Sequence, residues 1–161
     1  PARGQPSRCL SSSSISPLDI LSCFSSFHTE RLPDANSSNY WSAEVMLSAS
    51  GRYLWATARP SPSSSWTGYV ACFLLADDGN MVRPMFRIPT TEAGGAAEAV
   101  SPAPWSDEYA AMAHHPGGYV EVLKMEGRRE TGQGVEYASA KVVARVDIGD
   151  GGCCANAIWY S

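Results

Sequence analysis

Arg59 closes the run Y-L-W-A-T-A-R and opens a polar, Ser- and Pro-rich stretch over residues 60–67. A guanidinium at a strand end beside a long loop can grip a carboxylate through two parallel N–H···O bonds. That makes Arg59 the first candidate for substrate binding and for catalysis on an anion. The alternative is a surface arginine that caps a strand. Glu44, in A-E-V, offers a carboxylate that could hold an arginine or act as a general base; a structural ion pair is the equal alternative. His114 and His115 stand before Pro116, Gly117 and Gly118. An imidazole there can shuttle a proton near neutral pH, and His115 is the member taken as a binding candidate. The bland reading is a histidine pair in a hairpin turn. No third ligand sits at metal spacing, so no metal site is expected.

Other signatures are missing. The chain has no G-x-S-x-G elbow, no phosphate-cradling Gly loop, no H-E-x-x-H and no C-x-x-C. Glu98, Asp107 and Glu108 read as turn and strand-start polar groups. Cys153 and Cys154 have no partner that would activate a thiol. Trp41, Trp55, Trp105 and Trp159 read as packing residues rather than as a binding platform.

The elements that must position these residues are strands. Val, Tyr, Trp, Phe and Leu crowd residues 43–48, 53–58, 68–75 and 82–88, and Gly, Pro, Ser and Asp crowd the gaps. Ser50 and Gly51 make one turn, and D-D-G-N over 77–80 makes a hairpin turn. Four antiparallel strands of this length are one propeller blade. The plan then repeats: Tyr53 aligns with Tyr109, Gly68 with Gly118, Ala43 with Ala99, and Arg59 with His115. Residues 89–95 read as a crossing, 96–101 as an inner strand and 109–114 with 119–125 as a hairpin. Residues 127–137 read as a loop, and 138–148 as an outer strand. The expectation is all-β, with blades over 40–88 and 96–148 and a further inner strand over 155–160. That last strand has no partners in the chain, and its bare edge is an aggregation hazard. Asn156 on it could hydrogen-bond across a central channel. A single sandwich is the alternative architecture.

Here a resemblance enters. A-E-V-M-L-S-A-S-G-R-Y-L-W-A-T-A-R resembles the strand-turn-strand unit of the lactonase-type seven-bladed propellers. A-V-S-P-A-P-W-S-D-E-Y (99–109) and C-A-N-A-I-W-Y (154–160) are similar to the C-terminal blades of the fungal 3-carboxy-cis,cis-muconate lactonizing enzymes. The resemblance runs from residue 40 to the end and does not cover 1–39. It implies a cofactor-independent cycloisomerase acting on a small polycarboxylate, with Arg59 of A-T-A-R lining the active site. It also implies that the family's pocket His, Glu and further Arg belong to other blades, so that this stretch alone is inactive, and that those blades are its partners. Glu44 departs from the cyclase pattern and is closer to the A-E-I of 6-phosphogluconolactonase-like hydrolases, which are the second reading. A non-catalytic propeller scaffold is the third.

Bulk properties narrow the field. At 161 residues and a net charge of −4, the chain has no electrostatic footprint for nucleic acid. Nothing in it marks a membrane partner: no basic amphipathic helix and no apolar run of bilayer length. Five cysteines, two of them adjacent, do not make a disulfide framework and fit a reduced, cytoplasmic setting. Seven blades need roughly 300 residues or more, so a fragment is expected. Residues 1–39, with S-S-S-S at 11–14, read as a loop or disordered lead-in and carry no signal-peptide order.

Overall fold

A computed structural model describes residues 40–60, 67–93, 97–114, 117–132, 134–148 and 156–160. These belong to one compact unit, Ser38–Ser161. The lead-in expected over 1–39 lies outside the described residues, as does His115.

Among the described residues there are ten strands and no helix: β1 (Tyr40–Leu47), β2 (Tyr53–Pro60), β3 (Thr67–Leu75), β4 (Met81–Ala93), β5 (Ala97–Pro102), β6 (Tyr109–His114), β7 (Tyr119–Glu126), β8 (Arg129–Thr131), β9 (Gly134–Glu136) and β10 (Ser139–Asp147). None of them is a helix long and apolar enough to cross a membrane. Two four-stranded antiparallel sheets form, β1-β2-β3-β4 (sheet A) and β5-β6-β7-β10 (sheet B), with β8 and β9 as a separate hairpin. The central strands β2 and β3 are apolar on both faces and almost wholly buried. The edge strands β1 and β10 are mostly exposed.

The repeat holds in the ladders. Tyr53 pairs with Leu74 and Ala58 with Tyr69 in sheet A; Tyr109 pairs with Lys124 and His114 with Tyr119 in sheet B. Tyr53 and Tyr109, and likewise Gly68 and Gly118, are therefore equivalent, as the sequence suggests. The first strands differ from expectation by one residue. Val45 pairs with Ala56 and Val100 with Met112, so Ala99 corresponds to Glu44, not to Ala43. The cause is the turn after each first strand: Leu47 pairs with Leu54 but Pro102 with Ala110, so the β5–β6 connection is one residue longer than the β1–β2 connection. The β-bulges between Ser42 and Val45 and between Ala97 and Ala99 fall at equivalent places and leave the offset unchanged.

Sheet A turns Tyr53, Trp55, Val70, Cys72, Leu74 and Phe86 into the core, where they meet Val100, Ala110, Met112, Leu123, Met125 and Ala140 of sheet B. Each large side chain so buried contributes about 1.5–3 kcal/mol. The two sheets use opposite faces. Tyr53 and Trp55 correspond to Tyr109 and Ala111, yet sheet B presents Ala110 and Met112 to the core. The front of one unit packs on the back of the next, which is a heterologous contact.

Three expectations are corrected. Residues 89–93 continue β4 rather than forming a crossing, because Thr67 pairs with Ala93 beyond a register shift. β4 is an edge strand, so Pro84 and Pro89 are tolerated in it. Within 127–137 the chain forms the β8–β9 hairpin, whose three-residue strands are too short to show a period. It is tied to sheet A by the Tyr53 hydroxyl, which donates to Val135 O at 3.0 Å, and by the Arg83–Glu136 ion pair. Finally, Asn156–Tyr160 forms no strand. Trp159 holds this stretch through its side chain instead. Its indole N–H donates to Ser101 O at 2.8 Å and its ring meets Trp105 edge-on at 4.8 Å.

Candidate functional site

Residues 53, 55, 57 and 59 share one face of β2, because strand side chains alternate and the β2–β3 register is unbroken. Arg59 thus continues the row of Tyr53 and Trp55 beyond the apolar core. Its cross-strand partner is Trp41, and the guanidinium carbon lies 5.1 Å from the centre of the indole. This is cation–π distance. Trp55 is fully buried, but Trp41 is 47 % exposed, so Trp41 is not the packing residue that its type suggests. On the next position Tyr40 donates its hydroxyl to Thr67 O and packs at 5.4 Å against Tyr69. Burial and the neighbouring Tyr69 phenol push Tyr40 up to about 12, so it stays neutral.

Glu44 sits in the β1 bulge, where two residues oppose Thr57. Its amide N–H, displaced from the ladder, donates to Thr57 Oγ1 at 3.2 Å. The bulge turns its carboxylate toward sheet B, where Oε2 accepts from Val100 N at 2.9 Å. The partner is therefore a backbone amide of the next sheet, and no arginine or lysine pairs with Glu44 among the described residues. A charge-assisted bond of this kind joins the two sheets.

On β6 and β7 a second polar group forms that the sequence reading passed over. His114 and Glu121 are 0 % and 1 % exposed, and His114 Nε2 lies 3.3 Å from Glu121 Oε2. Thr91 Oγ1, from β4 of sheet A, donates to Glu121 Oε1 at 2.8 Å. Arg145 Nη1 of β10 approaches the same oxygen at 3.8 Å, while Nε and Nη2 of Arg145 donate to Asp147 Oδ1. The Tyr119 ring stacks with His114 at 4.3 Å and 20°, and the Arg145 guanidinium carbon lies 3.7 Å from its centre. Burial raises the Glu121 carboxyl, but the imidazole, the threonine hydroxyl and Arg145 outweigh it and hold Glu121 below the usual carboxylate range. His114 Nδ1 is buried with no hydrogen-bond partner among the described residues. His114 is thus a core residue rather than a turn residue. The signal for Glu121 was available: in Y-V-E-V-L-K-M-E it shares the buried row of Tyr119, Leu123 and Met125.

The turn below this stack is set by glycine. Gly118 has φ +63°, and a Cβ at Gly117 would run into the Tyr119 ring. Gly118 N donates to His114 O at 2.9 Å, and Ile148 N to Gly118 O at 2.7 Å.

Thr91 pairs across sheets with Glu121, while Ser50 N donates to Asp107 Oδ1 at the other end of the strands. The ends of β2 and β6 therefore lie at the same end of the two sheets, and Arg59 and His114 with them. Asn156 is exposed, and its stretch is anchored through Trp159 at Ser101 of β5. A cleft of about 580 Å³ opens at the other end of β6, lined by Glu108, Tyr109, Lys124, Arg128, Tyr137 and Lys141 among others. Its polar groups are engaged: Tyr137 donates to Glu108 at 2.9 Å, Lys141 pairs with Glu126, Arg128 with Glu130, and Lys124 lies over the Tyr109 ring.

The chain is similar to a cyclase. Over 131 residues it is 34 % identical to the carboxy-cis,cis-muconate cyclase of Neurospora crassa, a match that takes in 81 % of this chain and 33 % of that protein. The chain therefore spans about a third of the length of the curated relative it matches. No family model matches it.

Proposed function

We propose that the chain is part of a cycloisomerase that closes 3-carboxy-cis,cis-muconate to a lactone. The observation that carries this reading is the 34 % identity to a protein named for that activity. In the reaction a substrate carboxylate oxygen forms a C–O bond to an alkene carbon. The π bond breaks, and the carbon beside another carboxylate takes up a proton. Atoms balance with no oxidant and no cofactor. The substrate carries three carboxylates, and negative charge builds at the carbon that is protonated, so cationic groups are the first requirement. Arg59 supplies one, placed at a strand end and braced by Trp41. Positions 44, 115 and 156 are further candidates to line the pocket. Of these, Glu44 spends one oxygen on Val100 N, which favours a framework role for it. The general acid belongs to blades outside this stretch, so the 161-residue chain alone does not turn over.

Sheets A and B are read as neighbouring blades of a propeller. Front-to-back packing of equivalent units supports this, because such a contact leaves an equivalent face at each end for a further sheet. The remaining blades of a parent chain would take those faces. The test is to assay the full-length parent for muconate lactonisation and for hydrolysis of a phosphosugar lactone. Lactonisation that falls at least 100-fold in kcat/KM on Arg59→Gln supports the proposal. Hydrolysis of the phosphosugar lactone without lactonisation would replace it with a lactonase, and neither activity would leave a binding scaffold.

A further inference from the structure

The repeat separates framework from function. Tyr69 and Tyr119 are equivalent, and each lies under an arginine of the following strand, Arg87 at 5.0 Å and Arg145 at 3.7 Å. That pairing is part of the repeating plan. The Trp41–Arg59 pair is not. Counting across the bulges, Ser42 corresponds to Ala97, so Trp41 aligns with Ala96 and Arg59 with His115. The pair is peculiar to the first unit, and it is half open to solvent, whereas Trp55 on the same sheet is sealed in the core.

We propose that Trp41 positions the Arg59 guanidinium and supplies the flat surface that makes this site prefer planar, conjugated polycarboxylates over flexible ones. The inference rests on the reading of Arg59 as a substrate-binding cation. Direct cross-strand partners hold their Cβ atoms about 5 Å apart, so the indole and the guanidinium meet without strain. An arginine has many rotamers, and an aromatic face under its guanidinium confines the fork to one plane before ligand arrives. The 47 % of Trp41 that stays exposed then offers a ring on which a flat, unsaturated acid can lie while a carboxylate meets the arginine. A flexible acid of the same charge gains the ion pair but not the stacking. The specificity is thus for shape, added to a charge preference that Arg59 supplies.

The test uses the full-length parent and two inert tricarboxylates, flat benzene-1,3,5-tricarboxylate and flexible propane-1,2,3-tricarboxylate, titrated calorimetrically at low salt. The unaltered chain should bind the flat acid more tightly. Trp41→Leu should weaken the flat acid about fivefold and the flexible one about twofold or less, and Trp41→Phe should recover part of the difference. Arg59→Gln should abolish binding of both. Near-ultraviolet circular dichroism checks that each variant is folded, and the Phe variant keeps the test sound if Leu disturbs β1. If Trp41→Leu keeps the full preference for the flat acid while Arg59→Gln still abolishes binding, the role given to Trp41 is overturned and the role of Arg59 stands. If Arg59→Gln changes nothing, or the unaltered chain binds neither acid, both readings fall together.

Discussion

Replacing His114 by alanine would leave the buried Glu121 carboxylate without one of its partners. Removing one member of a buried pair costs about 3–5 kcal/mol where nothing else compensates. Here Thr91 at 2.8 Å and Arg145 at 3.8 Å remain on Glu121 Oε1, so the electrostatic part falls to about 2 kcal/mol. The space left beside Tyr119, whose ring stacks on His114 at 4.3 Å, adds about 1–2 kcal/mol. His114→Ala should therefore lose about 3–4 kcal/mol, and Glu121→Ala about 3 kcal/mol, since it strands both Thr91 and the imidazole. The double variant should cost less than the sum by about 1.5–3 kcal/mol. It restores the residue pair that sheet A carries at the equivalent positions, Ala58 and Ala71. Urea unfolding of the four proteins at neutral pH closes the cycle, each single variant lowering the midpoint by about 2 M. The sign with pH also follows. Glu121 has a folded pKa below its unfolded value of about 4.3, so its contribution is present above that pH. It is lost as pH falls through the folded value, and Glu121→Gln should flatten that part of the acid limb. Additivity within about 0.5 kcal/mol would show that the two side chains do not act as a pair.

Two further outcomes test the framework. Glu44→Ala removes the acceptor for Val100 N, and Val100 is buried, so the loss should be about 1.5–3 kcal/mol, with faster hydrogen exchange at the Val100 amide than at other β5 amides. Gly117→Ala drives a Cβ into the Tyr119 ring and should lower stability by about 1–3 kcal/mol, with the near-ultraviolet tyrosine signal changing in step.

Strand content and the two-unit plan were legible because apolar alternation and Gly/Pro/Ser punctuation are local signals, and Tyr53/Tyr109 with Gly68/Gly118 fixed the alignment of two strands in each unit. What escaped was set by partners distant in sequence. Strand pairing alone reveals that the turn between the first two strands is one residue longer in the second unit, so Ala43 was matched one residue off. The β8–β9 hairpin exists because Tyr53 and Arg83 hold it, which no pattern within 127–137 reveals. Residues 156–160 have strand-like composition, yet composition does not supply a neighbour to pair with. For the candidate site, Arg59 was singled out by its place at a strand end and by the resemblance of A-T-A-R. His114 was read as part of a turn because its sequence neighbours are Pro and Gly, while the carboxylate that defines its surroundings is on the next strand.

Several departures from the repeat gather at one end. In the middle of the sheets equivalent positions keep apolar or aromatic residues, and the Tyr–Arg stacks of Tyr69 with Arg87 and Tyr119 with Arg145 mark the same place in each. One position beyond, the units diverge. Sheet A has Ala58 and Ala71 where sheet B has His114 and Glu121, and Arg59 aligns with His115. A stacked array must keep its interior alike so that each unit fits the next, because every interior position is also part of an interface. Exposed strand ends are released from that constraint where they touch loops and solvent, whereas Glu121 is buried against Thr91 of sheet A. Charged and titratable groups can accumulate there without unsettling the stack. Arg59 beside an exposed indole suits contact with a ligand. His114 with Glu121, sealed at 0 % and 1 % exposure, suits holding two sheets in register. On the proposed reading of Arg59, ligand contact and sheet alignment sit side by side at one end, and a substitution in the buried pair should reach the ligand only by way of the angle between the sheets.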